Sequence, residues 1–494
     1  MDVEVSFGSG RLQGVQRSGH QAFLGIPYAA PPLGVRRFVE PEPAPSWQGV
    51  RDASKFGSSA PQADRTGLMA GGPEDEDCLF LNVYTPRADA QRRPVLFWIH
   101  GGGFVVGSAA QPIYDGGPLA ARGDVVVVTI NYRLGALGYL HVPARDRAAA
   151  SNAGQLDQIA ALRWVRDHIA AFGGDPEQVT IFGESAGSVA VCALLAMPGA
   201  EGLFGRAIAQ SGTANRALDT DTATGTAHAL ARQLGASEVD LAALQATPLE
   251  ALMAAQNALS TRPGLFFPVV DGVALPRRPL EVVRSGGARA IPLLIGTNRD
   301  EAKFYIDPKR APLADDALEV RVRGLLPPRA STHVGRIIEQ YRSSREQHGL
   351  PSTNNDLLDA IDTSSRFWIP STRLAESQAV HQARTFMYLF DWESPARRGA
   401  LGSCHSLELP FVFGTLSTSG MAPLTGTGPE AEPLSHRMMD AWLAFAKTGD
   451  PSCEALGPWP GYEASTRQTM RLGRKCQLES APFEQERLAW QAIL

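Results

Sequence analysis

The sequence GESAG at residues 183–187 gives Ser185 the surroundings of a catalytic nucleophile. A serine in the pattern GxSxG lies on a sharp turn between a strand and a helix, where the flanking glycines prevent steric collisions. Residues 179–182 predict the strand, and residues 188–196 predict the helix. The helix N-terminus would favour the negative charge of a transition state. The alternative is a glycine-rich turn with an unreactive serine.

A second glycine motif argues against that alternative. The sequence HGGGF at residues 100–104 directly follows an apolar run at 95–99. Consecutive glycines after a strand let backbone N–H groups point into a site, which is how an oxyanion hole is built. We therefore predict Gly102 and Gly103 as donors to an oxyanion, with Ala186 as the third. Read alone, the three glycines could also form a plain loop.

A nucleophilic serine needs a histidine to remove its proton, and an acid to orient that histidine. For a serine in this motif, the acid and then the histidine follow the serine along the chain. That order leaves as the main candidate bases His333, His348, His381, His405 and His436. Only His405 lies on a loop after a predicted strand. The run GTNRDE at 296–301 also follows a predicted strand, so Asp300 and Glu301 are both candidate acids. The residue chemistry alone leaves that choice open.

Short apolar runs alternate with helical patterns, which predicts an α/β fold with a large, mostly parallel central sheet and helices on both faces. The clearest strands are at 95–99, 124–131, 179–182, 291–295 and 385–390, and an amphipathic helix is predicted at 155–172. The first 80 residues predict a small antiparallel region. Residues 215–260 and 307–350 predict helical insertions, and residues 415–432 a loop. We expect one catalytic domain over 1–494.

Composition argues against several other classes of protein. A net charge of −5 in 494 residues gives no electrostatic reason to expect nucleic acid or an anionic membrane as a partner. No run reaches the ~18 apolar residues of a membrane span, and the N-terminus does not resemble a secretory signal. The five cysteines lack metal-ligand or disulfide-framework spacing. We expect a cytoplasmic protein without a metal or other cofactor.

Several further blocks resemble the type-B carboxylesterases, a family that includes para-nitrobenzyl esterases and cholinesterases. They are GIPYAAPP at 25–32, EDCLFLNVY at 76–84, NYRLG at 131–135, FGGDP at 172–176, QSG at 210–212 and ELPFVFG at 408–414. The resemblance covers nearly the whole chain. It implies an α/β-hydrolase fold and hydrolysis of small carboxylic esters through an acyl-enzyme on Ser185.

The resemblance also implies roles for single residues. Glu301 becomes the acid in preference to Asp300, and Ser211 supports the triad from beside it. Arg37 with Glu76, and Arg133 with Asp175, become structural salt bridges. Extracellular relatives pair the cysteine of EDCLxLN with an upstream cysteine. Here no cysteine precedes Cys78, so that disulfide cannot form.

The pocket is expected to be apolar, with candidate wall residues Phe104, Phe266, Phe267, Phe304, Tyr305 and Phe367. Residues 65–76 could form a loop at its entrance. The alternatives to an esterase are an amidase or thioesterase with the same triad, a lipase, and a non-catalytic binding homologue. A monomer or small homo-oligomer is expected.

Overall fold

The computed structural model describes residues 2–63, 71–143, 149–259, 264–307, 309–426, 428–491 and 493. In these residues, thirteen strands join into one sheet. The strands are β1 (Asp2–Phe7), β2 (Gly10–Arg17), β3 (His20–Pro27), β4 (Val50–Asp52), β5 (Phe80–Thr85), β6 (Arg93–Ile99), β7 (Val126–Ile130), β8 (Gly174–Glu184), β9 (Arg206–Gln210), β10 (Leu293–Asn298), β11 (Thr385–Phe390), β12 (Gln468–Leu472) and β13 (Gln477–Ser480).

The strand order is β1-β2-β3-β5-β7-β6-β8-β9-β10-β11-β12-β13, and β4 pairs with β2. All pairs from β7 to β12 along this order are parallel, whereas the successive pairs from β1 to β7 and the pair of β12 with β13 are antiparallel. Strand β4 lies parallel to β2. The predicted α/β architecture with a mostly parallel sheet and an antiparallel N-terminal region is therefore confirmed.

The helices pack on both faces of this sheet. They are α1 (Gly117–Gly123), α2 (Gly135–Tyr139), α3 (Ala153–His168), α4 (Ala186–Leu194), α5 (Thr220–Gln233), α6 (Leu241–Ala246), α7 (Leu249–Leu259), α8 (Pro279–Arg284), α9 (Asp315–Leu325), α10 (Val334–Gln347), α11 (Asn354–Thr363), α12 (Ile369–Ala379), α13 (Leu409–Phe413), α14 (Ala422–Thr425), α15 (Ala431–Thr448) and α16 (Glu484–Gln491). Within the described ranges, none of them is both long and apolar enough to cross a bilayer.

The two faces bury separate cores because side chains alternate along each strand. In β6, Val95, Phe97 and Ile99 pack with the α3 side of the sheet, whereas Leu96 and Trp98 pack with the α15 side. Every residue of β7 is buried. A strand covered on both faces has no solvent-facing positions, which explains the continuous apolar runs in the sequence.

The predicted elements differ from the observed ones mainly at their ends. Strand β8 is longer than predicted, whereas β7 is shorter because Asp124 adopts φ 48° at the end of α1. The predicted helix at 155–172 is α3 followed by a 3₁₀ turn at Ile169–Phe172, and Gly173 ends it with φ 81°. The region 415–432 is not entirely a loop, since α14 lies within it and α15 begins there.

One of the two predicted salt bridges is wrong. Arg37 does pair with Glu76, with its Nε 2.5 Å from Oε2. Arg133, however, pairs with Asp157 of α3, with Nε 2.8 Å from Oδ2, and Asp175 instead pairs with Arg92. Arg133 follows the C-terminal end of β7, whereas Asp175 lies at the start of β8. Both strands run parallel to β6, so the C-terminal end of β7 and the N-terminal end of β8 lie at opposite ends of the parallel strands.

Candidate active site

Ser185 lies on a strained turn between β8 and α4. Its backbone has φ 55° and ψ −122°, and its N–H donates to the Gln210 carbonyl of β9 over 2.9 Å. A Cβ on Gly183 would lie 2.5 Å from the Gly187 carbonyl carbon, and one on Gly187 only 2.0 Å from the Ile99 oxygen. The helix can approach the sheet this closely only because both positions are glycine. The turn thus holds the hydroxyl at the C-terminal end of β8.

The glycine loop after β6 packs directly against this turn. A Cβ on Gly101 would lie 3.1 Å from the Ser185 Cβ. Gly102 and Gly103 have φ of 107° and 64°, which other residues rarely adopt. Among the described residues, no protein acceptor takes up the N–H groups of Gly102, Gly103 or Ala186. These three donors are therefore free to bind an oxygen atom beside Ser185.

An imidazole–carboxylate pair lies at the ends of the next strands. The His405 Nδ1 is 2.6 Å from Glu301 Oε2, and both side chains are fully buried. Glu301 follows β10, and His405 lies on a loop beyond β11. The other carboxylate oxygen of Glu301 accepts a hydrogen bond from the Asn298 backbone N–H over 2.8 Å. This geometry fixes the imidazole with its Nε2 atom pointing away from the acid.

Asp300 is occupied by other partners. Its carboxylate lies 2.9 Å from Arg299 and 3.1 Å from Lys303, and it accepts a hydrogen bond from the Ser403 N–H. Burial would raise the pKa of Asp300, but the two cations and the N–H group lower it overall. The structure thus brings Glu301 to the imidazole and uses Asp300 to tie the two loops together.

The remaining candidate histidines lie elsewhere. The His348 Nδ1 is 2.7 Å from the Ser344 carbonyl at the end of α10, and the His381 Nε2 is 2.9 Å from the Arg284 carbonyl. His333 precedes α10, and His436 is exposed on α15. The structure brings none of these four to the Ser185 turn.

The free nitrogen of His405 faces the Ser185 turn. Its Nε2 lies 3.1 Å from Oε1 of Glu184, the residue before the serine, and has no hydrogen-bond partner among the described residues. The same Glu184 oxygen accepts a hydrogen bond from the Ser406 hydroxyl over 2.7 Å. The Tyr305 hydroxyl interacts with the Ser185 side chain, and the Tyr305 and His405 rings are 5.4 Å apart. Serine, imidazole and carboxylate therefore share one small region.

Below this region lies a buried polar network that the sequence did not predict. Glu408 accepts hydrogen bonds from the Gln210 side chain (3.1 Å) and the Asn298 side chain (2.7 Å). Asn298 also donates to the Cys404 carbonyl over 2.7 Å, and Gln210 accepts from the Trp442 indole over 3.0 Å. The network ties the turn of the serine to the loops of the acid and the imidazole. Its only sequence signal was that Gln210 and Glu408 occur in the blocks QSG and ELPFVFG.

Three buried glutamates, Glu184, Glu301 and Glu408, interact electrostatically with the imidazole. Burial alone would lower the pKa of His405, but Glu184, Glu301 and Glu408 raise it overall. Burial raises the pKa of Glu184, and it raises the pKa of Glu408 together with the two neighbouring carboxylates. By contrast, burial lowers the pKa of His100 to about 4, so this histidine of the glycine loop is neutral. It stacks on Tyr132 and shapes the loop.

The comparisons with known proteins agree with this geometry. A model described as the carboxylesterase family matches residues 1–490. The chain belongs to the carboxylesterase family. The para-nitrobenzyl esterase of Bacillus subtilis is 40% identical, covering 97% of this chain and 96% of the relative. The phenmedipham hydrolase of Pseudarthrobacter oxydans is 35% identical, covering 94% of each. A crystal structure of a Geobacillus stearothermophilus carboxylesterase superposes with a TM-score of 0.88 at 40% identity, covering 99% of this chain and all of that one.

These findings confirm the family resemblance and give this carboxylesterase the α/β-hydrolase fold. They also make it a carboxylic-ester hydrolase of the serine type. Among the described residues of the carboxylesterase, no group of three or more His, Cys, Asp or Glu side chains could hold a metal ion.

Aromatic side chains surround the imidazole of the carboxylesterase. The rings of Phe304, Tyr305 and Phe367 lie 6.1, 5.4 and 5.0 Å from the His405 ring. Phe304 and Tyr305 are about half exposed, at 52% and 49%, so a ligand could reach them.

The other predicted wall residues lie deeper. Phe104 has φ 62° and no exposed surface, because its ring packs 4.6 Å from Tyr139 and 5.1 Å from Phe267. Phe267 is partly exposed, whereas Phe266 is buried in the core. The structure therefore brings Phe304, Tyr305 and Phe367 to the imidazole but places Phe104 and Phe266 in the core.

Ser211 is buried beside the site, with φ 52° and its N–H bonded to the Gly296 carbonyl. Its hydroxyl has no hydrogen-bond partner among the described residues of the carboxylesterase. Of the predicted entrance loop at 65–76, residues 65–70 lie outside the described ranges. Residues 71–76 include Glu76, which binds Arg37.

Proposed function

We propose that this carboxylesterase uses Ser185 as nucleophile, His405 as general base and Glu301 as the acid that orients it. His405 Nε2 accepts the hydroxyl proton while Ser185 Oγ attacks the ester carbonyl carbon. The N–H groups of Gly102, Gly103 and Ala186 donate to the carbonyl oxygen as it becomes negative. The alcohol leaves with the proton from His405, and an acyl-enzyme remains on Ser185.

Water completes the reaction. His405 accepts a proton from water, the resulting hydroxide attacks the acyl carbon, and the acid leaves as Ser185 regains its proton. The observation that carries the proposal is the 2.6 Å contact between Glu301 and His405, whose second nitrogen is free beside the serine turn. Neither step requires a cofactor.

The proposed substrates are small carboxylic esters held between aromatic walls. Phe304, Tyr305 and Phe367 are the walls that contact the imidazole, and Phe267 can extend them on the side of Phe104. Para-nitrobenzyl and para-nitrophenyl esters are suitable test substrates, since a para-nitrobenzyl esterase is among the relatives. Comparison with matched amides and thioesters would separate an esterase from an amidase or thioesterase.

We further propose that the whole chain forms one catalytic domain and works in the cytoplasm as a monomer or small homo-oligomer. Five unpaired thiols, three of them buried, support a reducing compartment. Size-exclusion chromatography with light scattering would give the oligomeric state.

Covalent labelling tests the nucleophile. A dialkyl aryl phosphate such as paraoxon should react once per chain, because only an activated serine displaces the aryl group. We expect mass spectrometry to find the phosphoryl group on Ser185 and hydrolysis of para-nitrophenyl butyrate to fall in proportion. The buried Ser188 and Ser211 nearby serve as internal controls. A label on either, or full activity after complete labelling, would contradict the assignment.

The raised pKa of His405 predicts the pH dependence. The imidazole must be neutral to accept a proton, so kcat/KM should fall as the pH drops through a pKa above the ordinary 6.5. Glu184, Glu301, Glu408 and the Tyr305 hydroxyl are the titratable groups around it. Glu184→Gln keeps the size of the side chain and removes one negative charge, so it should move the acid limb to lower pH. The measurement is kcat/KM for para-nitrophenyl butyrate across the pH range.

The exposed Glu4→Gln, on the first strand, is the matched control and should leave the acid limb in place. An unchanged limb in Glu184→Gln would show that Glu184 does not set the charge of the imidazole.

A further inference from the structure

Two arginines that take no part in the proposed mechanism lie near the aromatic walls: Arg366 contacts two of the rings, and Arg216 interacts electrostatically with Arg366 and Tyr305. Arg366 belongs to a π-helical segment, Ser364–Trp368, between α11 and α12. Such segments are rare and frequently occur at functional sites. The Arg366 guanidinium lies 4.7 Å from the Tyr305 ring centre and 5.2 Å from that of Phe367. Both rings also contact His405, so a single aromatic ring separates this cation from the imidazole.

Arg216 is the second cation of this group. It follows the loop after β9, where Gly212 packs against the Ser185 carbonyl. Arg216 is half-buried, and its electrostatic neighbours are Arg366, Tyr305 and Asp362. Burial and repulsion by Arg366 lower the pKa of Arg216. Within the described chain, its guanidinium has neither a hydrogen-bond acceptor nor an ion pair.

The charges here do not balance. Among the described residues, Asp362 is the one carboxylate that interacts electrostatically with Arg216, and it binds Arg366 through one contact of 3.3 Å. Charge-assisted hydrogen bonds are usually about 2.7–2.9 Å long, so this contact leaves most of the guanidinium donors available. A guanidinium presents five N–H donors in a planar fork that matches a carboxylate. One partly buried positive charge and several donors thus remain unused next to the catalytic region.

We propose that Arg216 and Arg366, the arginine pair, bind an ionised carboxylate that the ester substrate itself carries. The proposal rests on the proposed function and adds a substrate class, the esters that contain a free carboxylate in their acyl or alcohol part. The scissile ester lies at Ser185, the intervening chain crosses Tyr305 and Phe367, and the carboxylate reaches the arginine pair.

Charge placement makes this preference depend on length. Glu184 and Glu301 lie on the His405 side of the aromatic walls, so a carboxylate close to the scissile bond would meet negative charge. A carboxylate several carbons away would pass the rings and meet Arg216 and Arg366. The preference for charged esters should therefore rise as the chain lengthens.

The test compares ester pairs that differ only in the carboxylate. On the acyl side, monomethyl succinate, glutarate, adipate and suberate are compared with the methyl esters of monoacids of equal length. On the alcohol side, para-butyryloxybenzoate is compared with phenyl butyrate. Hydrolysis is followed by pH-stat titration. For either the acyl-side or the alcohol-side esters, at the chain length that the enzyme prefers, we expect kcat/KM for the charged ester to exceed that of its neutral partner by about tenfold or more.

Arg216→Gln, Arg366→Gln and the double variant should lower this charged-to-neutral ratio by about tenfold. The matched control is Arg11→Gln, which removes the same charge from β2 at the far edge of the sheet and should keep the wild-type ratio. Added NaCl should also lower the charged-to-neutral ratio of kcat/KM for the wild-type protein. This test does not depend on the folding of any variant.

A charged-to-neutral ratio near one for both the acyl-side and the alcohol-side esters, at every length, would overturn the proposal. So would a preference for charged esters that persists in the double variant or does not change with added salt. The side that shows the preference identifies the part of the ester that carries the carboxylate. Failure of the proposed function is distinct from these results, because the neutral esters would then not be hydrolysed either.

Discussion

Ser185→Ala should lower kcat for para-nitrophenyl butyrate by about 10⁶-fold, the loss typical of removing a serine nucleophile. The hydroxyl oxygen that would carry the acyl group is lost, so no acyl-enzyme can form. The donors of the glycine loop remain, so a residual rate above that of the uncatalysed reaction is expected. The measurement is kcat after wild-type contamination has been excluded by active-site titration.

The fold should survive this change. The strained backbone at residue 185 is held by the Gln210 carbonyl and the close packing of Gly183 and Gly187, none of which involves the hydroxyl. Circular dichroism and the apparent Tm are therefore expected to match the wild type. A folded Ser185→Ala protein that keeps more than about a hundredth of the activity would place the nucleophile elsewhere.

Glu301→Gln should lower kcat by about 10⁴-fold, because the amide can no longer hold and neutralise the imidazolium that forms during the reaction. The amide would also change the tautomer of His405, since its NH₂ group could donate to Nδ1 where the carboxylate accepts. Both effects act on the proton transfer, so kcat and kcat/KM should fall together. Steady-state kinetics with para-nitrophenyl butyrate measures both.

Asp300→Asn is the matched control for that variant. Its carboxylate binds Arg299, Lys303 and the Ser403 N–H but not the imidazole. Breaking a buried ion pair typically costs about 3–5 kcal/mol, so Asp300→Asn should lower the apparent Tm clearly, while kcat falls far less than in Glu301→Gln. A larger loss of kcat in Asp300→Asn than in Glu301→Gln would reverse the two roles.

The sequence could predict the sheet, and the elements that carry the proposed reacting groups, because both depend on local patterns. Strands β6 and β7 are buried on both faces and therefore appear as unbroken apolar runs. Glycine is required at 183 and 187 because a Cβ there would lie only 2.5 and 2.0 Å from the nearest backbone atoms. The motif is therefore visible in the sequence itself. The choice between Asp300 and Glu301 depends on which side chain faces the imidazole, and adjacent residues give no local signal for that.

The features that the sequence did not predict depend on distant residues meeting in space. Asp157 and Asp175 lie on either side of the turn after α3, and only the parallel direction of the strands shows which one meets Arg133. Phe104 follows the glycines but turns into the core because of its positive φ. The network of Gln210, Asn298 and Glu408 joins the ends of three separate parts of the chain, and each of these residues alone resembles an ordinary polar side chain.

This network has a consequence for protein engineering. The hydrogen bonds from Trp442 through Gln210 and Glu408 to Asn298 join the loops and the turn that carry the three proposed reacting groups into one buried unit. Random substitutions within that unit would impair turnover and folding simultaneously, so selection for new substrates should find few useful variants there. Phe304 and Tyr305 are half exposed and belong to no such unit. Libraries restricted to these two positions should therefore change substrate range at the smallest loss of yield.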